Sequence, residues 1–173
     1  MILPIKRFGD PVLRQRGREV ETFDDALVRL ADDMLETMYA APGVGLAAPQ
    51  VGRSIRVVVI DVGDGPLRLV NPVLSEHEGE QTGEEGCLSI PGVYFPVTRA
   101  MRVRCDAKDP RGKDVTVQGE ELLARALQHE VDHVDGVLFT DRLDDEHRRE
   151  AMRLIREQEM GLTTVDADPT RAL

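Results

Sequence analysis

The stretch Gln128-His129-Glu130-Val131-Asp132-His133 constrains this chain more than any other. It carries the pattern H-E-x-x-H inside a run, about Glu120 to Asp135, whose apolar spacing predicts a helix. Two histidines four residues apart stand about 40° apart around a helix axis and one turn apart along it, so both imidazoles can reach one cation. A neutral imidazole is a good ligand for zinc, ferrous iron, cobalt or nickel. Glu130 lies on a neighbouring face, near enough to touch a water on that cation without ligating it. Leu123, Leu127 and Val134 share a stripe with Glu130, and a carboxylate on a core-facing stripe is costly unless it is paired or working. His129 and His133 follow Leu122 and Ala126, which places them on the inward side as well. A helix that turns polar groups into the protein is a central helix.

Length and charge bound the rest. The chain has 173 residues, 3% aromatic residues and no tryptophan, so its core is aliphatic. One domain is expected over residues 1–162, with a polar, disordered tail over 163–173. The net charge of −10 argues against general nucleic-acid or anionic-membrane binding. No 18-residue apolar run exists, and Met1-Ile2-Leu3-Pro4-Ile5-Lys6-Arg7 has neither the apolar region nor the cleavage site of a signal peptide. The two cysteines, Cys87 and Cys105, are then expected as free thiols in a reducing cytoplasm.

Asp10-Pro11 reads as a cap and first position of a short turn through Arg14, ended by Gly17. From Asp24 to Ala40, Leu27, Leu30, Ala31, Met34 and Met38 recur at helical spacing, and Pro42-Gly43 ends the helix. Gly43-Val44-Gly45-Leu46-Ala47-Ala48-Pro49-Gln50 is small, apolar and glycine-rich. No Lys-Ser/Thr follows, so it is no phosphate loop. Its glycines let backbone approach another group, and Gln50 ends it with an amide donor. Ile55–Asp61 and Leu67–Leu74 read as strands, the second bent at Pro72. Glu76–Glu85, acidic and glycine-containing, reads as a loop carrying a solvated His77. Arg99–Asp106 and Asp114–Gln118 form a hairpin about Pro110-Arg111-Gly112, with Cys105 in its core. After Gly136, a last helix runs from Asp144 to Met160. Arg149, Arg153 and Arg156 form a basic stripe on it, laced with Glu146, Glu150 and Glu157 as a solvated face would be.

A catalytic divalent-metal site keeps three protein ligands and one open position. The helix supplies two. Of the remaining candidates, His77 and His147 sit on polar segments and Cys105 in an alternating strand. Cys87, between Gly86 and Leu88 in Gly86-Cys87-Leu88-Ser89, could be a core thiol, a nucleophile or a ligand, and is the best third ligand.

Three stretches then carry a resemblance. Gly43–Gln50, Glu85-Gly86-Cys87-Leu88-Ser89 and Gln128–His133 are similar, in that order and at similar separations, to the three motifs of the peptide deformylase family. The match runs from the first helix to Leu143. The resemblance implies removal of the N-formyl group from nascent polypeptides that begin with formylmethionine. It implies Cys87, His129 and His133 as ligands of one divalent ion, usually ferrous iron, with zinc, nickel or cobalt able to replace it. It also implies Gln50 and the Leu88 N–H as oxyanion donors and Glu130 as proton shuttle. A metal lowers the pKa of water so that hydroxide is available to attack the formyl carbon, and Glu130 passes the proton to the departing amine. The peptide is expected to add as a strand beside Val44, Gly45 and Gly86, its methionine in an apolar pocket walled by Leu127. Some members carry a substrate-contacting arginine after the position of Pro91, where this chain has Gly92-Val93-Tyr94-Phe95. The resemblance also implies ribosome docking by the last helix, as in some members, with Arg149, Arg153 and Arg156 as the expected contact.

The expected fold is α+β: antiparallel sheets around a central helix carrying H-E-x-x-H, with an outer N-terminal helix and a C-terminal helix. Two other classes compete. A zinc endopeptidase built on H-E-x-x-H needs a third ligand downstream, where only His147 or a carboxylate such as Asp144 stands, and leaves Gln50 and Cys87 unexplained. A metal-stabilised binding protein needs a closed four-ligand site and no Glu130.

Overall fold

A computed structural model of the chain describes residues 1–162 and 173. Among them are three α-helices, α1 (Asp25–Ala40), α2 (Glu121–Val134) and α3 (Asp145–Glu159). The strands are β1 (Gly45–Ala47), β2 (Val57–Ile60), β3 (Leu67–Glu78), β4 (Gln81–Cys87), β5 (Ile90–Arg99), β6 (Arg102–Lys108) and β7 (Asp114–Glu120). One antiparallel sheet has the order β1-β2-β3-β6-β7, and β4 and β5 form a separate hairpin. The fold is the expected α+β arrangement.

The layers follow from period-two alternation. β2 is buried on both faces. Val57 and Val59 join the α1 side chains Leu27, Met34, Leu35 and Met38 in one core. Val58 and Ile60 join Ala124, Ala126, Leu127 and Val134 of α2 in another. The sheet is therefore sandwiched between α1 and α2. A third core joins Cys87, Ile90, Val93 and Val97 of the hairpin to Leu138, Phe139, Ala151 and Ile155, so α3 seals the far side of the hairpin. The central helix α2 thus has sheet on one side and hairpin on the other.

Local chemistry explains the element ends. Asp24 caps α1 by accepting the Leu27 N–H at 3.0 Å, a contact worth about 1 kcal/mol. The 3-10 turn Pro11–Arg14 is capped by Asp10 in the same way. Gly136 follows α2 at φ +77, and a Cβ there would lie 2.7 Å from the Arg14 carbonyl oxygen, so only glycine fits. β3 bends where expected, its register against β6 shifting between Val70 and Val73 around Pro72. Asn71, at φ +52, is held in the bend by hydrogen bonds in both directions with the Val20 backbone.

Three expectations are corrected. Glu76–Glu85 is not a loop: β3 runs to Glu78, and β4 begins at Gln81 and pairs with β5 from Gln81↔Arg99 to Cys87↔Ile90. Glu76, Glu78, Glu80 and Glu84 are exposed, whereas Glu85 faces inward and is fully buried. Arg99 ends β5 rather than opening β6, and the chain turns at Ala100-Met101. Leu122 is 45% exposed: the buried stripe of α2 begins one turn later. The tail expectation for 163–173 lies outside the described residues apart from Leu173, which is buried in the same core as Leu127.

Candidate metal centre

α2 and the end of β4 bring three donors together. Cys87, His129 and His133 are buried, and one ligand atom from each lies within 4.8 Å of the others. Cys87 Sγ is 3.3 Å from His133 Nε2, which is 3.2 Å from His129 Nε2. A tetrahedral ion with ordinary zinc-like bond lengths would hold such donors about 3.3–3.6 Å apart, so these separations suit a shared cation. His77 is exposed. His147 pairs with Asp144 at 3.0 Å and packs against Phe95, away from the cluster. Cys105 is buried in the opposite core. Both cysteines are free.

The electrostatics also suit a cation. Glu85 is fully buried and accepts the His129 Nδ1–H at 2.8 Å. Burial opposes its ionisation, but Arg99 and His129 hold its pKa far below the usual carboxylate range. The Glu85 carboxylate keeps a proton on Nδ1, so Nε2 is the nitrogen of His129 that faces His133 and would give up its proton to an arriving cation. Burial works against a charged His129, yet the hydrogen bonds it donates to the Cys87 sulfur and to Glu85 lift its pKa to about 10. The pocket therefore favours positive charge where the three donors meet. At His133 burial and the neighbouring His129 charge push the pKa down, so that ring is neutral. Its Nδ1 has no hydrogen-bond partner among the described residues.

Glu130 is also fully buried, and neither of its carboxylate oxygens has a partner among the described residues. Burial pushes its pKa up to about 7. An unpartnered carboxyl near neutral pKa, one residue from the three-donor cluster, is suited to accept and return a proton.

Gln50 is fully buried in a 3-10 turn, Ala48–Val51, after β1. Its Oε1 accepts the Ala47 N–H at 2.9 Å, which turns Nε2 toward Ser89 Oγ at 3.2 Å and Cys87 Sγ at 3.5 Å. Leu88 follows Cys87 in the turn of the hairpin, and its side chain lies where a Cβ on Gly43 would be 2.8 Å from Leu88 Cδ1. Gly45 is buried against Glu130, Gly86 is buried, Val44 is half-buried and Leu127 is fully buried. Gly92-Val93-Tyr94-Phe95 lies in β5, with Phe95 paired to Glu85.

Sequence reasoning missed the residues around Glu85. Arg99, Arg125 and Asp132 form one buried charged cluster with it, and the exposed Arg142 pairs with Asp132 at its outer edge. The available signal was a pair of charged residues, Arg125 and Asp132, seven apart on the helix and so on one stripe beside the histidines.

Residues 2–149 match the family described as polypeptide deformylase. The chain is 52% identical over 164 residues to a peptide deformylase of Acidothermus cellulolyticus, covering 95% of this chain and 91% of that one. It is 54% identical over 156 residues to a peptide deformylase of Acetivibrio thermocellus, covering 90% and 87%. A crystal structure of a peptide deformylase from Legionella pneumophila superposes with a TM-score of 0.88 at 44% identity, covering 94% of this chain and 98% of that one. One from Synechococcus elongatus, in complex with actinonin, gives 0.85 at 43% identity, covering 89% and 86%. The family depends on a metal, and the Cys/His/His cluster stands where one would bind. The endopeptidase alternative is not favoured. The chain is thus a hydrolase that removes the N-formyl group from nascent peptides, and it belongs to the polypeptide deformylase family.

Proposed function

We propose that Cys87, His129 and His133 hold one divalent ion, and that Glu130, Gln50 and the Leu88 N–H carry out the deformylation around it. The carrying observation is the convergence of three buried donors beside a carboxylate with both oxygens unpartnered among the described residues. Three protein donors are the count of a catalytic site, not of a closed structural one. A sulfur and two imidazoles suit ferrous iron, proposed here as the native metal, and zinc, nickel or cobalt in its place. Bound there, the ion acidifies water and polarises the formyl carbonyl.

The residues do the rest. Glu130 accepts the proton of the attacking water and returns it to the departing amine; a pKa near 7 suits both transfers. Gln50 Nε2, held toward Cys87 by the Ala47 and Ser89 contacts, and the Leu88 N–H donate to the oxygen on which charge develops. Burial of the whole cluster excludes bulk water and strengthens those contacts.

The peptide would add as a strand along Val44, Gly45 and Gly86, with methionine in the apolar core that includes Leu127. Leu173 supports this: it is buried in that core, and its N–H donates to the Gly86 carbonyl at 3.3 Å. An apolar side chain and a backbone N–H are thus accommodated together beside Gly86. Formylated nascent peptides are the substrate and the cytoplasm the proposed location. No helix among the described residues is long and apolar enough to cross a membrane. Ribosome contact through Arg149, Arg153 and Arg156 is a weaker reading, since Arg153 is already paired with Glu150 and Glu157 on its own helix.

The decisive variant is Glu130→Gln. It should keep its metal and lose deformylation of a formylmethionyl peptide. Wild-type turnover in that variant would overturn the assignment.

A further inference from the structure

Glu85 is saturated. Its Oε1 accepts from His129 Nδ1 at 2.8 Å and Arg99 Nη2 at 2.9 Å. Its Oε2 accepts from Arg99 Nε at 2.9 Å and Arg125 Nη1 at 2.6 Å. Two donors per oxygen fill the lone pairs of a carboxylate. The two guanidiniums are not equivalent. Arg99 is shared with Asp132, whose Oδ2 lies 2.7 Å from Arg99 Nη1, and Arg142 meets the same Asp132. Among the described residues Arg125 has no second carboxylate, and its other hydrogen bond goes to the Val97 carbonyl at 3.0 Å. A second buried guanidinium on one carboxylate is expensive to desolvate, and its partner faces a metal ligand.

The surroundings make room for it. Arg125 lies one turn before His129 on α2, so one helix carries both the ligand and a residue that fixes the ligand's anchor. Opposite it, β4 presents Gly83, where a Cβ would stand 3.2 Å from Arg125 Nη2. A side chain there would crowd the guanidinium.

We propose that Arg125 is a positioning residue for His129, acting through Glu85: it holds Oε2 so that Oε1 stays on Nδ1 and Nε2 stays aimed at the three-donor cluster. This rests on the metal-centre reading above. A purely structural Arg125 would instead tie α2 to β5 through Val97 and leave the metal indifferent.

The test loads wild type, Arg125→Lys, Arg125→Met and Gly83→Val with nickel and follows release to a chelator. The same proteins loaded with cobalt give the ligand-field absorption, and urea unfolding of the metal-free forms gives stability separately. Loss of a contact that orients a ligand typically costs about 10–100-fold in metal affinity. Arg125→Met should release nickel faster by that order and shift the cobalt bands. Gly83→Val, which keeps the arginine, should do so less, and Arg125→Lys should recover part of the loss. Wild-type release and cobalt spectra in Arg125→Met would overturn the proposal, whatever its urea midpoint. If Arg125→Met does not fold, unchanged release and spectra in both Gly83→Val and Arg125→Lys would overturn it. A wild type that takes up no nickel would overturn the metal-centre reading itself.

Discussion

Gly45 and Glu130 occupy space that no larger pair could share. A Cβ built on Gly45 would stand 2.5 Å from Glu130 Oε1 and 2.9 Å from both Cδ and Cγ of that side chain. Gly45 opens β1, and β1 packs on α2, so the shortest strand of the sheet leaves room for the Glu130 carboxylate. The sequence marks this glycine as a place where substrate backbone approaches; it also admits Glu130.

Gly45→Ala should therefore displace Glu130 and leave the three donors in place. We expect turnover of a formylmethionyl peptide to fall by at least about 100-fold, the scale on which general acid–base catalysis contributes. Bound metal, measured by elemental analysis, should stay near one per chain. Loss of metal together with activity would mean that the strand had moved as a whole.

Gln50→Ala removes the donor aimed at Cys87. Loss of one such donor costs about 100–1,000-fold in kcat. It also orphans the Ala47 N–H, at about 1–3 kcal/mol of stability. The two effects separate in steady-state kinetics against a thermal melt. A KM rise at constant kcat would make Gln50 a binding residue and not an oxyanion donor.

The convergence of Cys87, His129 and His133 was legible because chemistry restricts which residues can bind a metal. Few residue types bind such ions, and the i, i+4 spacing of His129 and His133 states their geometry outright. The Glu85 cluster was not legible: Glu85 and Arg125 are 40 residues apart and meet only because the β4–β5 hairpin closes over α2. The same hairpin was half unread. Glu76–Glu85 has the composition of a loop, and its extended form comes from pairing with β6 and β5, a property of the partner strands. Leu122 fails for a related reason, since periodicity gives the face of a helix but not where the covering layer stops.

Iron and nickel should differ in air. A thiolate ligand and a ferrous ion are both oxidisable, whereas nickel(II) is stable toward oxygen. Protein purified without oxygen and loaded with iron should lose activity over hours of aeration, and the nickel form should hold it. Equal decay of the two would remove the case for iron and point to oxidation of Cys87 alone.

Cys105 offers a test far from the metal. Burial, with the Asp106 charge adding to it, pushes its thiol up to about 12, against about 8.5 in an unfolded chain. Between those values the unfolded state releases a proton that the native state keeps. The unfolded state therefore binds fewer protons, and stability falls as pH rises, by up to about 1.4 kcal/mol per pH unit. The contribution is intact below about pH 8.5 and is lost progressively toward 12. Cys105→Val removes the titrating group and keeps an apolar side chain in the core. Urea midpoints from pH 8 to 10 should decline more steeply for wild type than for the variant, the lysines and tyrosines being common to both. Native Cys105 should also resist alkylation at pH 9 and react once urea is added, because the thiolate is the attacking species. Parallel declines in the two proteins, or ready labelling of the native thiol, would show that Cys105 reaches solvent at a cost far below global unfolding.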